Sequence, residues 1–329
     1  MTYNFDKPTV RLGTDCIKWD ETGNPNILPM WVADMDFETA PCVAEAVRRR
    51  AALPIYGYGL VPERFYDAIR WWNRTRYGWD IERKWILYTS GVIAAFSAAV
   101  QALCRGGNPV LTLLPAYNCF FSTIRNARCP LVGFPLTWDA TGETHTIDFE
   151  ALEHVWTEQE LHTIADICRR NDVIVVSDEI HSDFIHPQLG RRFVPFGPIA
   201  EEAGCQWVVT SAPNKAFNIA GLQTAYIVTP SEKFRQLIDR ALNDNETCDI
   251  NVFASVALQA AYTPEGAEWL DQLIAYIFTG SLLFRQQMKS SLSQLPLARL
   301  EGTYLAWLDV TGVGRPSEEM ASWSLRWMS

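Results

Sequence analysis

Two charged side chains at the ends of apolar segments are the first candidates for chemistry. Lys215 closely follows the apolar segment 207–212, and Asp178 ends the apolar segment 173–178. A buried amine or carboxylate is costly unless it is paired or chemically used. A lysine amine forms Schiff bases with carbonyl compounds, and a carboxylate can keep a ring nitrogen protonated. Each residue alone also has an ordinary interpretation, a lysine that reaches solvent and an aspartate that caps a turn.

The surrounding sequence predicts an α/β fold that would bring these two side chains together. Apolar, β-rich segments alternate with helical patterns, which indicates a mostly parallel sheet covered by helices on both faces. Ligands bind at the carboxyl ends of the strands in such sheets, so Lys215 and Asp178 should share one edge. The clearest predicted strands span residues 110–114, 173–179, 207–212 and 224–229.

Local signals also predict where helices begin and end. Pro62 is expected in the first turn of a helix, and Gly78 follows its end. Thr157 and Glu160 have the spacing of a capping box at the start of another helix. A third, apolar helix is predicted after Gly91.

This third helix could bind a phosphate at its N-terminus. Ser90, Gly91, Val92 and Ile93 would present free backbone N–H groups, and Gly91 would permit close approach. Tyr117, which follows the predicted strand 110–114, could lie flat on an aromatic ring. A helix cap and core packing are the simpler interpretations of these two features. With the amine and the carboxylate, however, they match the aldehyde, ring nitrogen and phosphate of pyridoxal 5′-phosphate (PLP).

Bulk properties exclude several other classes of protein. The 329 residues carry a formal net charge of −10 and no basic run, which argues against nucleic acid or an anionic membrane as a partner. No apolar run reaches the roughly 20 residues of a membrane span, and the polar N-terminus does not resemble a signal peptide, so a cytoplasmic location is predicted. The eight cysteines contain no C-x-x-C pair, so neither zinc nor disulfides are expected. No G-x-G-x-x-G motif supports a nicotinamide dehydrogenase.

The chain resembles the cystathionine β-lyase/cysteine-S-conjugate β-lyase branch of the class I and II aminotransferase family. The resemblance implies the PLP-dependent transferase fold of the aspartate aminotransferase type (fold type I). It also implies a large PLP-binding domain at 46–263, a smaller α/β domain at 264–329, and an N-terminal segment 1–45 that joins the small domain. The matching runs are LPMWVADMDF (28–37), YGYG (56–59), SDEIHSDF (177–184), SAPNKAFNIAGL (211–222), NVFASVALQAAY (251–262) and EGTYLAWLD (301–309).

The resemblance also implies a role for each candidate residue. Lys215 would bind the cofactor and move the Cα proton of an amino-acid substrate, while Asp178 would pair with the pyridine nitrogen. Residues expected to surround the cofactor are Tyr117 on the ring, Gly91, Val92, Ile93 and Ser211 around the phosphate, and His181 by position. Ala33 and Asp34 are expected near the substrate carboxylate, and Tyr58 would reach the cofactor of the partner subunit in a homodimer.

The chain departs from the family pattern in three places. Residues 147–154 run directly into 155–161, where the family has a further strand and an asparagine that contacts the cofactor. Asn214 stands where serine is common, which changes one phosphate contact. The chain also ends soon after the run 301–309, before the family's arginine for the substrate carboxylate.

The activity implied is α,β-elimination on cystathionine or a cysteine S-conjugate, which yields pyruvate, ammonia and a thiol. Two alternatives stay open at this stage. An aminotransferase shares the chemistry up to removal of the Cα proton, and a degenerate PLP-binding relative would have little activity because of the missing segments.

Overall fold

Short β-branched segments alternate with amphipathic helices in the computed structural model, which describes residues 2–21, 23–104, 107–139, 144–146, 157–316 and 319–320. The helices are α1 (Ile17–Asp20), α2 (Pro41–Ala51), α3 (Glu63–Tyr77), α4 (Val92–Leu103), α5 (Asn118–Asn126), α6 (Glu158–Arg170), α7 (Phe196–Ala203), α8 (Glu232–Asp244), α9 (Val252–Ala261) and α10 (Pro264–Ser291). The strands are β1 (Ile86–Thr89), β2 (Val110–Leu114), β3 (Leu131–Pro135), β4 (Thr137–Asp139), β5 (Thr144–Thr146), β6 (Ile174–Asp178), β7 (Gln206–Ser211) and β8 (Ala225–Val228).

A four-stranded sheet in the order β1-β8-β7-β6 forms the centre of the fold. β6 and β7 are parallel, and β8 runs antiparallel to both of its neighbours. Side chains alternate between the two faces of a strand, so Val208 and Ile227 pack against α4 and α8. Trp207 and Tyr226 belong to the larger core on the other face, with residues of α3 and α9. The sheet is therefore covered on both sides, as the apolar β7 and β8 sequences predict.

The local signals in the sequence are largely confirmed. Thr157 and Glu160 form the predicted capping box, in which each side chain accepts a hydrogen bond from the other residue's backbone N–H. Gly78 ends α3 in the left-handed conformation, with φ of 70°. The placement of Pro62 was wrong by one position. Its extended backbone, with ψ of 159°, makes it the cap before the helix, which begins at Glu63.

The sheet is interrupted at the position where the sequence lacks a segment. β2 and β3 form a separate parallel pair. Within the described ranges, no strand pairs with the second edge of β6 or of β2. Val110 of β2 and Val176 of β6 both pack on the cluster that contains Phe96 and Ile124, so the open edges lie on either side of one core. This agrees with the expectation of a missing strand, although the junction itself, 147–156, lies outside the described residues.

Candidate active site

Lys215 is held by the loop that follows β7. Phe217 is fully buried and packs between Trp72 and Trp269, at centroid distances of 5.8 and 5.6 Å. The side chain of Asn218 donates to the backbone oxygens of Met35 and Phe37, both at 2.8 Å. These two anchors directly after Lys215 leave the lysine little freedom in its backbone position.

The amine of Lys215 lies in a partly buried, charged environment. Its Nζ donates to the backbone oxygen of Ala33 at 2.7 Å. Burial lowers the pKa of Lys215, and the negative charges of Asp34 and Asp178 act in the opposite direction without cancelling the effect. A lowered pKa leaves a larger fraction of the lysine as free amine near neutral pH, so more of it is available to act as a base or nucleophile.

Asp178 lies at the same edge of the sheet as Lys215. It pairs with Thr210 across the parallel β6 and β7, and Lys215 follows Thr210 by one short loop. Burial raises the pKa of Asp178 to about 6, although the N–H of Ile180, 3.1 Å from Oδ1, and the charge of Lys215 both lower it. The residue keeps solvent-exposed surface, so it is open to a ligand at this sheet edge. The two predicted side chains therefore interact.

Tyr117 lies within electrostatic range of Asp178 and is 56% exposed. It is the residue before α5, and its extended backbone directs the chain into that helix. A hydrogen bond to Cys119 raises the pKa of Tyr117 to about 12, together with burial and the charges of Cys119 and Asp178. An exposed ring within electrostatic range of Asp178 is available to cover a flat ligand.

The N-terminus of α4 is open to an anion. Gly91 precedes the helix with an extended φ of 176°, and no side chain of the described residues caps this end. The first N–H groups of the helix, including those of Val92 and Ile93, consequently lack intrahelical acceptors. A Cβ at Gly91 would meet no atom within 4 Å, so there is space in front of the terminus. Such a terminus suits a phosphate.

Two polar residues just before Lys215, Asn214 and Ser211, differ in their hydrogen bonds. Asn214 is 7% exposed, and its Oδ1 has no hydrogen-bond partner among the described residues. Buried polar atoms are nearly always paired, so an unpaired one beside the reactive amine indicates that a ligand completes the site. Ser211 already donates from its hydroxyl to the backbone oxygen of Glu179 at 3.2 Å. The amine, the carboxylate, the open helix terminus and this orphaned atom fit PLP.

His181 is brought to the site, together with two residues that the sequence did not single out. Its Nδ1 lies 3.0 Å from the hydroxyl oxygen of Thr303. Burial, with a contribution from the charge of Lys215, lowers the pKa of His181 to about 4. Tyr304 donates to the same Ala33 oxygen that binds Lys215, at 3.2 Å. The run EGTYLAWLD marked this segment, but nothing in it indicated that it folds back onto the site.

Ala33 and Asp34 lie beside Lys215, and their expected place near the substrate carboxylate stays a prediction. Ala33 supplies the oxygen that binds the amine, and Asp34 forms an ion pair with Arg11 at 2.7 Å. Tyr58 is 99% exposed and belongs to a surface segment away from the other candidates. The expectation that it reaches a partner's cofactor stays a prediction, as does the division into domains.

Two classes of site are not seen in the part of the chain that the structure describes. No group of three or more His, Cys, Asp and Glu side chains there could hold a metal ion. Among the described helices, none has the length and apolar character needed to cross a membrane.

Comparison with known proteins identifies the family. The family described as Aminotransferase class I and II matches residues 25–159 and 154–324, in two parts that meet where the sequence lacks a segment. Cystathionine beta-lyase PatB of Bacillus subtilis is 34% identical, over 96% of this chain and 87% of the relative. Protein MalY of Escherichia coli is 29% identical, over 94% of this chain and 84% of the relative.

Solved structures agree with this assignment. Cystalysin from Treponema denticola, whose crystal structure contains pyridoxal 5′-phosphate, superposes with a TM-score of 0.90 at 26% identity, over 98% of this chain and 87% of cystalysin. The predicted α/β fold and the predicted family are both confirmed. The chain belongs to the class I and II aminotransferase family, in the branch that contains PatB and MalY.

Proposed function

We propose that the chain is a PLP-dependent carbon–sulfur β-lyase that acts on a sulfur-bearing L-amino acid. The reaction is an α,β-elimination: the Cα–H and Cβ–S bonds break, the thiolate leaves with its bonding electrons, and hydrolysis gives pyruvate and ammonia. One observation carries this proposal: Lys215 and Asp178 lie at one edge of the sheet, where the charge of each influences the pKa of the other. The names of the relatives, a cystathionine beta-lyase and a C-S lyase among them, support the same activity.

The described residues divide the binding of PLP among them. Lys215 would bind its aldehyde carbon, Asp178 its ring nitrogen, Tyr117 its ring face and the N-terminus of α4 its phosphate. Bound there, PLP supplies an electron-accepting ring that stabilises negative charge at the substrate Cα. Asp178 would serve this chemistry as a carboxylate close to the protonated ring nitrogen. The positive charge on that nitrogen would lower the pKa of Asp178, which burial raises.

Lys215 is the residue placed to move the proton. Burial favours the free-amine form of its Nζ, and with PLP and substrate bound that amine would be the group to accept the Cα proton. The Ala33 oxygen holds this Nζ on one side at 2.7 Å and so limits the directions in which it can act. His181 stays neutral because its pKa is lowered, so it adds no positive charge beside the amine.

We further propose that the active molecule is a homodimer. Leu53, Ile55, Tyr56, Tyr58 and Leu60 are all at least 56% exposed within one short segment. Contiguous exposed apolar side chains mark interaction surfaces in soluble proteins. The amino-acid substrate reaches the site from solvent, and Tyr58 would complete the phosphate site of the partner subunit.

The spectrum of the purified protein with PLP tests the role of Lys215. The wild type should show the absorption of PLP bound through a Schiff base, which sodium borohydride should fix onto Lys215. The variant Lys215→Ala should lose both the absorption and the fixation. Lys233→Ala, at an exposed position of α8, is the matched control and should behave like the wild type. Fixation on any other lysine would refute the assignment.

The products separate the lyase from its alternatives. With a cysteine S-conjugate and no 2-oxo acid, a lyase releases pyruvate continuously. An aminotransferase requires an added acceptor and forms no free thiol. The split sheet is the observation that supports the third alternative, a PLP-binding relative with little activity. The bound spectrum with no pyruvate release, and with no transamination after a 2-oxo acid is added, would establish it.

A further inference from the structure

A segment of five residues, 33–37, is held from the N-terminal side by Arg11. The guanidinium contacts both carboxylate oxygens of Asp34, at 2.7 and 3.2 Å. The same group donates to the backbone oxygen of Met35 and to Asp36 Oδ1, both at 2.9 Å. Arg11 and Asp34 are only 20% and 23% exposed, so this pair is shielded from solvent far better than a surface ion pair.

Lys18 and Trp19 add a second set of contacts to the same segment. Lys18 is 7% exposed, and its Nζ donates to the backbone oxygen of Asp34 and to Asp36 Oδ2, both at 2.7 Å. The indole N–H of Trp19 donates to Asp36 Oδ1 at 2.8 Å. Burial alone would raise the pKa of Asp36, but the hydrogen bonds from Lys18, Trp19 and Arg11 hold it below its ordinary value.

Segment 33–37 is also bound by the loop that carries Lys215, and the Met35 oxygen accepts from both Arg11 and Asn218. Lys215 contacts the Ala33 oxygen, and Asn218 contacts the oxygens of Met35 and Phe37. Asn218 adopts a positive φ of 54°, a conformation that suits asparagine better than most residues. The segment is consequently bound both by the N-terminal cations and by the loop of the reactive amine. Ala33, which binds Lys215, directly precedes Asp34, which binds Arg11.

The charges connect Arg11 to Lys215 as well. After burial, the largest influence on the pKa of Lys215 is the negative charge of Asp34, which raises it. Arg11 neutralises that charge at 2.7 Å. Loss of the guanidinium would leave Asp34 unpaired, so its carboxylate would stabilise the protonated form of Lys215 more strongly.

We propose that Arg11 is a positioning residue for the reaction. It holds segment 33–37 so that the Ala33 oxygen meets Lys215 Nζ, and it screens Lys215 from the charge of Asp34. This rests on the proposed function, because it assumes that Lys215 moves the Cα proton. Arg11 itself touches neither the amine nor the space in front of it.

The test measures the protonation of Lys215 directly, in the cofactor-free protein. Competitive acetylation with acetic anhydride at a series of pH values, read by mass spectrometry of the Lys215 peptide, gives the pKa of that amine. Arg11→Gln should raise it, and Asp34→Asn should lower it. The double variant should return towards the wild-type value because both charges are gone. Arg48→Gln, which removes an exposed arginine paired with Glu45, should change nothing.

The charged and titratable groups around Lys215 constrain how the result is read. Asp34 belongs to segment 33–37, Asp178 ends β6, and His181 and Tyr304 lie on the adjoining loops. His181 is neutral above its lowered pKa, and Tyr304 is un-ionised. Of these four groups, the two aspartates are therefore the ones that carry a charge near the amine at neutral pH. If Arg11→Gln, Asp34→Asn and the double variant all shifted the pKa of Lys215 in the same direction, the substitutions would merely have loosened segment 33–37, and the proposal would fail.

Turnover gives a second, independent readout in the PLP-loaded enzyme. Arg11→Gln should move the acid limb of the kcat–pH profile to higher pH and lower kcat at pH 7 by up to about 100-fold, with a smaller change in KM. Arg11→Lys should restore part of kcat, since it keeps the charge but not the paired contacts. An unchanged profile in Arg11→Gln would overturn the proposal. Absence of turnover in the wild type would instead refute the lyase function and leave the acetylation result to decide the role of Arg11.

Discussion

His181 illustrates how the fold controls protonation at the scale of one residue. Burial keeps its imidazole neutral, and the hydroxyl of Thr303, 3.0 Å from Nδ1, fixes the orientation of the ring. Thr303 has a positive φ of 58°, which is unusual for a β-branched residue and is a conformation that proteins retain mainly at functional sites. Its backbone oxygen also contacts His186 Nε2 at 3.0 Å. The site therefore includes this turn as well as the residues nearest the lysine.

The lowered pKa of His181 predicts a pH dependence of stability. Between about pH 6.5 and its folded pKa of about 4, the unfolded chain binds a proton at His181 that the folded chain does not bind. Stability should therefore fall with decreasing pH in this window, by an amount on the order of 3 kcal/mol from this residue alone. Urea denaturation of the wild type and His181→Gln at pH 7.0, 5.5 and 4.5 measures the effect. The slope should be shallower in the variant, and equal slopes would contradict the prediction.

Residues next to regular elements were predictable, and those brought in by long-range contacts were not. Lys215 and Asp178 stand at the ends of apolar strands, so the strand pattern alone placed them at one edge. Arg11, which contacts residues 23–25 positions away, lies in a stretch without periodic pattern. Thr303 contacts His181 across 122 positions. No local propensity encodes such pairings, because they depend on how the elements pack.

At the scale of an element, α4 combines an apolar body with an uncapped N-terminus. Its buried residues include Ala95, Ala98 and Ala99, which let the helix pack closely on β7 and β8. Ser, Thr, Asn or Asp before the helix would satisfy one orphan N–H group, but Gly91 cannot. The helix thus gives up a side-chain cap, at a cost of only about a few tenths of a kcal/mol because glycine takes the position, and keeps a terminus that an anion can bind.

Gly91→Ala tests this interpretation of α4. The extended φ of 176° is open to alanine, and a Cβ would meet no atom of the protein within 4 Å. The free energy of unfolding should therefore fall by no more than about 1 kcal/mol, the disadvantage of alanine against glycine at an N-cap. The methyl group would occupy the space in front of the helix, so PLP affinity should fall about tenfold, which corresponds to roughly 1.4 kcal/mol.

Gly280→Ala in α10 is the control for Gly91→Ala, since its Cβ is equally free of contacts. It should leave PLP affinity unchanged. Titration of each protein with PLP, followed by absorbance, gives both affinities. Equal affinities in Gly91→Ala and the wild type would show that the phosphate is bound elsewhere.

The elements themselves follow closely from the sequence, while their assembly does so only in part. β2, β6, β7 and β8 match the predicted apolar segments to within one residue at each end. β7 and β8 are buried on both faces, as continuous apolar runs predict, whereas β2 and β6 are only partly buried. The order β1-β8-β7-β6 could not be deduced from those runs, since periodicity does not specify which strands pair. The open edges of β6 and β2 were anticipated only through the resemblance to longer relatives.

At the scale of the whole molecule, the surface segment 53–60 is ordered although its apolar side chains are exposed. Arg50 donates to the backbone oxygens of Leu53 and Ile55, at 3.1 and 3.0 Å. A Cβ at Gly59 would lie 2.5 Å from the backbone oxygen of Ile250, so glycine is required for this close approach. A segment that is fixed by its backbone while it presents Tyr58 at 99% exposure is preorganised for a partner.

This arrangement predicts that one charge in the segment separates the subunits. Ile55 is 69% exposed, so Ile55→Asp should fold normally, but a buried, unpaired carboxylate would oppose the interface. Sedimentation velocity should show a dimer for the wild type and a monomer for the variant, and the monomer should bind PLP more weakly because it lacks the partner's Tyr58. Leu283→Asp, at a position of α10 that is 61% exposed, is the control and should stay dimeric. The dimer proposal would fail if the wild type sedimented as a monomer and bound PLP with the same affinity as Ile55→Asp. Each site would then be complete within one chain.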